Sequence, residues 1–189
     1  MLFKIAIFVI ISTFLVSGCS SEKRNTPQPS PNGNTIIING YTLPPEPDPV
    51  VNNSTLLGID SNHNGVRDDV EIWILKKYKD RHPIYTEIAM QSARASKKIL
   101  KNPARASEVH DEVSSAYYCA SYYLVCDHNS TVSMDSWIFD EDFRSVIFNT
   151  DEREATFWKY DSALSGDSYT IPWCSERKNL CDFNVTKFE

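Results

Sequence analysis

"NPARASEVHDEVSSAYYCASYYLVC", residues 102–126, carries the cleanest helical period of the chain. Ala106, Val109, Val113, Ala116, Ala120 and Tyr123 alternate three and four apart, the spacing that lines one face of an α-helix. Asn102 is placed to cap this helix, with Pro103 just inside its first turn. Cys119 and Cys126 lie on one stripe with Ala116 and Tyr123. Seven residues of helix rise about 10.5 Å, beyond the ~7 Å between Cα atoms that a disulfide spans. If the helix reaches Cys126, the two cysteines cannot bond each other.

Cys174 and Cys181 repeat the same separation near the C-terminus. An extended tail running along the helix would meet both. Antiparallel passage gives Cys119–Cys181 with Cys126–Cys174, and this is the favoured pairing, because a chain returning to a helix end folds back on it. Parallel passage gives Cys119–Cys174 with Cys126–Cys181. Local pairing within each couple stays open if the helix stops near Tyr118. Zinc is a rival use of four cysteines, but six intervening residues exceed the two to four typical of zinc knuckles.

Disulfides need an oxidising compartment, and the N-terminus supplies the address. Lys4 precedes an apolar run from Ile5 to Val16, followed by Ser17, Gly18 and Cys19. A basic start, a short apolar stretch and small residues at its end describe a secretory signal. The run is too short to span a ~30 Å hydrocarbon core as a helix. "LVSGC" (15–19) resembles the lipobox of bacterial lipoproteins, which implies cleavage before Cys19 and acylation of that cysteine. Several acyl chains, at ~0.8 kcal/mol per buried methylene, give lasting membrane attachment. Ser20 at the next position implies outer-membrane sorting.

The chain carries net charge -6, and losing Lys4 with the signal leaves the mature protein one unit more negative. An acidic chain lacks the basic face that nucleic acid or anionic lipid demands. Residues 20–35, with Pro27, Pro29, Pro31 and Gly33, read as a disordered tether. The division is therefore 1–18 signal peptide, 19–40 lipidated cysteine and tether, and 41–189 helical domain. Within "TIIINGYTL" (35–43) one short strand is expected, with Asn39-Gly40 as a turn. "PPEPDP" (44–49) then holds the chain extended.

Further helices follow from the same periodicity. Val70, Trp73, Ile74 and Tyr78 share a face. His82 caps and Pro83 opens a helix whose stripe is Ile84, Ile88, Ala95 and Ile99, with Ser92, Ala93 and Ser96 small enough for a neighbouring helix to approach closely. A short helix is expected over about 139–148. Another starts at Thr150 or Asp151 and ends before Gly166. "YTIPWCSERKNLCDFNV" (169–185) reads as irregular or weakly extended. The fold class is mainly α: a small antiparallel helical bundle, preceded by an extended Pro-rich segment and a calcium loop, with a disulfide-tied tail.

"DSNHNGVRDDVE" (60–71) meets every position of the EF-hand loop pattern. Asp60, Asn62 and Asn64 supply oxygens at positions one, three and five. Gly65 permits the sharp turn, Val66 offers a backbone carbonyl, Asp68 ligates directly or through water, and Glu71 closes the shell with two oxygens. The alternative is an Asn/Asp/Gly-rich turn that merely caps the next helix. The loop departs from a true EF-hand, since "PVVNNSTLLG" has no pattern for an entering helix and Arg67 stands where a paired loop is apolar. It resembles the isolated calcium loops of dockerin or thrombospondin type 3 repeats. The stretch "GYTLPPEPDPVVNNSTLLGIDSNHNGVRDDVE" (40–71), with "FNTDEREATFWKYDSALSG" (148–166), also resembles a group of uncharacterised gammaproteobacterial lipoproteins. That resemblance implies a shared fold and brings no activity with it.

An enzyme is not expected. His63 sits at a non-liganding loop position. His110, Asp111 and Glu112 are consecutive and so face different ways on a helix. His128 follows Asp127 in a loop. No serine elbow, phosphate loop or zinc-protease helix is present. Tyr117, Tyr118, Tyr122, Tyr123, Trp137, Trp158 and Trp173 make the C-terminal half aromatic, as core and rim or as a face for peptidoglycan sugars or an envelope protein. The expected function is a non-enzymatic, membrane-anchored envelope lipoprotein with a structural calcium loop. A periplasmic inhibitor or immunity lipoprotein is the alternative, and an envelope hydrolase comes last.

The N-terminal reading is checked by mass spectrometry of the mature protein from membranes. The first peptide should begin at Cys19 and carry acyl chains, and a soluble form with another free N-terminus would overturn it.

Overall fold

The structure is a computed structural model that describes residues 35–127, 132 and 134–188. The signal peptide, Cys19, the tether as far as residue 34, His128 and Asn129 lie outside the described residues.

Folded structure begins inside the segment assigned to the tether. Strands β1 (Ile37–Ile38) and β2 (Tyr41–Thr42) pair antiparallel, with Ile37 opposite Thr42 and Ile38 opposite Tyr41. Two strands therefore form where one was expected. Asn39 and Gly40 adopt φ of 50° and 86°, the left-handed pair that a two-residue hairpin turn demands. The Asn39 amide donates to the Tyr78 carbonyl at 3.1 Å and to Thr86 Oγ1 at 2.9 Å, fastening the hairpin to the helices.

Asp48 caps a five-residue helix, α1 (Pro49–Asn53), accepting from the N–H groups of Val50 and Val51. A short helical turn thus precedes the loop, but it stops at Asn53 and does not run into Asp60, so no helix enters the loop. The bundle is α2 (Asp68–Tyr78), α3 (Pro83–Lys101), α4 (Ala106–Ser121), α5 (Glu141–Ile147) and α6 (Asp151–Ala163). His82 Nδ1 accepts from Ile84 N–H to cap α3, and Thr150 Oγ1 from Arg153 N–H to cap α6. Asn102 does not cap α4, and Pro103 opens a 3₁₀ turn (Pro103–Arg105) in front of it. The expected apolar stripes are the buried ones. Ile84, Ile88, Ala116, Ala120 and Tyr123 are fully enclosed, while Ile99, Ala106, Val109 and Tyr160 form a second cluster.

The helix does reach Cys126, its last turn widening to a π-helix over Tyr122–Cys126. Cys119 bonds Cys181 and Cys126 bonds Cys174, the antiparallel pairing, with Cα separations of 5.0 and 5.6 Å. The tail between the bonds is not extended. It folds as α7 (Cys174–Arg177) and a 3₁₀ turn (Lys178–Leu180). The reason is one of length: seven extended residues span about 23 Å, while the same seven as mixed helix rise about 12 Å. Only the second matches the helical separation of Cys119 and Cys126. Gln91 then donates to the Leu180 carbonyl at 2.8 Å, and Arg94 forks onto Asp182 at 3.0 and 2.7 Å.

Burial pushes three phenols upward: Tyr160 to about 12, and Tyr41 and Tyr78 further. Free tyrosine ionises near pH 10. Their neutral forms therefore add stability that is complete below about pH 10 and is lost as pH rises through about 12. Arg153, pressed down to about 10 by burial and by nearby Arg67, works in the opposite direction, one group against three. An absorbance titration of the native protein should leave part of the phenol signal unionised until circular dichroism is lost. In urea all tyrosines should ionise in one step. A single step near pH 10 in the native protein would refute the burial argument.

Candidate functional site

The loop from Asp60 to Glu71 is launched by a strap, residues 52–59, held by Arg153 and packed against Arg67. Arg153 is fully buried on α6. It donates through Nε to the Leu56 carbonyl, through Nη1 to Asn53 Oδ1 and Asn149 Oδ1, and through Nη2 to the carbonyls of Asn52 and Thr55. A guanidinium has five N–H donors, and all five are used. Gly58 lies within the strap at φ +60°, where a Cβ would come within 2.3 Å of Arg67 Cδ and 2.6 Å of Asn52 Oδ1.

Arg67, at loop position eight, is also buried. It donates to the carbonyls of Val146 and Ile147 at 2.8 and 3.1 Å and to Asn149 Oδ1 at 3.1 Å. Free carbonyls at a helix C-terminus attract a cation. The position that is apolar in paired loops therefore docks this loop on the end of α5 instead.

Four of the six candidate metal ligands converge. Glu71 is fully buried. Its Oε2 accepts from the amides of Asn62 at 3.0 Å and Asn64 at 2.8 Å, and its Oε1 has no partner among the described residues. Asp60 Oδ2 accepts from Gly65 N–H at 3.1 Å and from Lys97 Nζ at 2.7 Å, and its Oδ1 also has no partner among the described residues. Burial drives the Glu71 carboxyl upward against the two amide hydrogen bonds. Gly65 takes φ +90°, turning the chain as its position in the pattern requires.

The other two candidates are placed differently. Val66 packs into the core, its N–H donating to Asn64 Oδ1 at 2.8 Å. Asp68 turns back onto Ser61 N–H at 2.9 Å and closes the loop at the start of α2. The oxygens of Asn62 and Asn64 are engaged by the N–H groups of Asn64 and Val66. Among the described residues, no three His, Cys, Asp or Glu side chains gather as a metal-binding group. The loop reaches its oxygen count only if both Asn amides turn inward beside Asp60 and Glu71. Sequence reasoning missed Lys97, which comes from α3, 37 residues away. No local pattern signals it.

His110 is not brought together with Asp111 and Glu112 as an acid–base cluster. Its Nε2 lies 2.8 Å from Ser114 Oγ and its ring stacks on Tyr169 at 3.7 Å, while Glu112 pairs with Lys98. Among the described residues the buried Nδ1 of His110 has no partner, and none of their carboxylates orients the ring. The four-residue spacing of His110 and Ser114 was the available signal for that contact. The aromatic residues divide between inside and outside: Tyr123 is enclosed, whereas Tyr117, Trp158 and Trp173 are exposed. No family model, no curated protein and no solved structure matches this chain. No helix among the described residues is long and apolar enough to cross a membrane.

Proposed function

We propose that this protein is a non-enzymatic envelope lipoprotein, held to the outer membrane by acyl chains on Cys19, whose binding or scaffolding domain is stiffened by calcium at Asp60–Glu71. The observation that carries the calcium reading is the fully buried Glu71 with Oε1 unpartnered, beside an equally unpartnered Asp60 Oδ1. A buried carboxylate oxygen without a donor is costly. Calcium takes six to eight oxygen ligands at 2.3–2.6 Å. Here Asp60, Asn62, Asn64, the Val66 carbonyl, Asp68 and Glu71 would hold it, and it would supply the positive charge that Glu71 lacks.

The role is structural because of what surrounds the loop. Val66 is part of the core, Arg67 grips the end of α5, and the strap is tied to α6 by Arg153. An ion in the loop therefore braces α2, α5 and α6 together. Two neutral ligands and the absence of a paired loop place affinity in the range of extracellular modules, with a dissociation constant on the order of 10⁻⁴–10⁻³ M.

About 10 mM calcium should stabilise the native state by roughly 1.5–3 kcal/mol, raising Tm by on the order of 5 °C. In Glu71→Gln and Asp60→Asn the gain should vanish. Glu71→Gln should also melt no lower than the native protein without calcium, since it removes a buried charge. If both variants respond to calcium as the native protein does, the loop is only a turn.

Lys97 supplies a second check. Its ammonium sits on Asp60, where it competes with the ion. Lys97→Met should tighten calcium binding by on the order of tenfold, about 1.4 kcal/mol, in titration calorimetry. Unchanged affinity would mean that the lysine swings clear at no cost.

A further inference from the structure

A cavity of about 530 Å³ opens between α3, α4, α5 and α6, away from the loop. Ser92 and Ser96 line it: the small residues of α3 let α4 approach closely, as expected, and also leave space toward α5 and α6. Tyr117, Phe139, Phe143, Phe148 and Phe157 form its walls. Its size falls in the range of small-molecule sites, which combine apolar walls with a few placed polar groups.

Two features point to an occupant. Ser92 is only 6% exposed, and its hydroxyl has no hydrogen-bond partner among the described residues. The hydroxyl is not one of the fully enclosed polar atoms, so water reaches it from the cavity, and a ligand atom there can take that water's place. The second feature is charge at the mouth. Asp140 is paired with Lys77 at 2.9 Å, and Arg144 lies over the Phe157 and Trp158 rings, 3.9 Å from Glu154. Glu141 has no ion-pair partner among the described residues. The mouth thus offers one unpaired carboxylate beside aromatic faces, a combination that favours an organic cation. The charged side chains lining the cavity are two carboxylates, Asp140 and Glu141, and one guanidinium, Arg144, already engaged by the aromatic rings and Glu154.

We propose that this cavity binds a small amphiphilic amine, with its apolar body against the aromatic walls and its protonated nitrogen at the mouth beside Glu141. Ser92 and Ser96 accept or donate a hydrogen bond at the deep end. The proposal is independent of the calcium loop.

The test uses the disulfide-bonded protein and three ligands that share one apolar body: 4-phenylbutylamine, 4-phenylbutan-1-ol and 4-phenylbutyrate. In titration calorimetry the amine should bind on the order of tenfold more tightly than the acid and several-fold more tightly than the alcohol. Ser92→Leu, which fills the floor, should weaken the amine by on the order of tenfold or more. Glu141→Gln should bring the amine down to the level of the alcohol and leave the alcohol unchanged. If Ser92→Leu loses its native melting transition, Val113→Phe fills the cavity from α4 and is read in the same way. Absence of binding by all three, an acid or alcohol as tight as the amine, or an amine affinity indifferent to the filling variant would each overturn the proposal.

Discussion

The guanidinium of Arg153 is the constraint around which the rest of the domain is arranged. A buried charge persists only when its hydrogen-bonding groups are satisfied, and Arg153 meets that condition by drawing four residues of an otherwise irregular strap around itself. The strap has no long helical pattern and little apolar side chain to bury, so its place is decided by carbonyl oxygens. Asn149 is shared with Arg67 and donates in turn to Asp69 at 3.2 Å. One network therefore fixes both ends of the Asp60–Glu71 loop. Removing the guanidinium would leave several carbonyls without donors as well as an empty space.

The C-terminal tail is held covalently. Two disulfides close loops of 62 and 48 residues, and each restricts the unfolded chain by about 4 kcal/mol in the chain-entropy account. They also make the tail part of the fold. Between the two bonds residues 174–180 bury no apolar side chain fully and Trp173 before them is 80% exposed, while Phe183, Val185 and Phe188 beyond them pack half-buried against the core. The helical turns of residues 174–180 exist because the spacing of Cys119 and Cys126 leaves room for nothing longer.

Between these two anchors the helices do not close completely. The small side chains of α3 and the aromatic side chains of α5 and α6 leave a lined cavity, while the loop beneath Lys97 holds carboxylate oxygens without donors. Both are departures from full packing and full polar satisfaction. Departures of this kind are where a domain without enzyme motifs is expected to bind something.

Helix positions were legible in the sequence, because burial at three- and four-residue spacing is a local property of the chain. The same was true of the caps at His82 and Thr150, and helical rise spoke against a Cys119–Cys126 bond, while the choice of antiparallel over parallel pairing, favoured from the sequence, was decided by the fold. The oxygen-bearing residues of the loop were also legible, since a loop positions its side chains by short-range turns. What the sequence left open was everything set by groups distant along the chain. The tail's helicity depended on a length match across 48 residues. Lys97 reached Asp60, Arg67 reached the end of α5, Arg153 reached the strap, and Ser92 came to line a cavity beside the α3–α4 contact. Hydrogen bonds from long, flexible cationic side chains carry no periodicity, and a cavity is the absence of a neighbour. Only tertiary packing decides either.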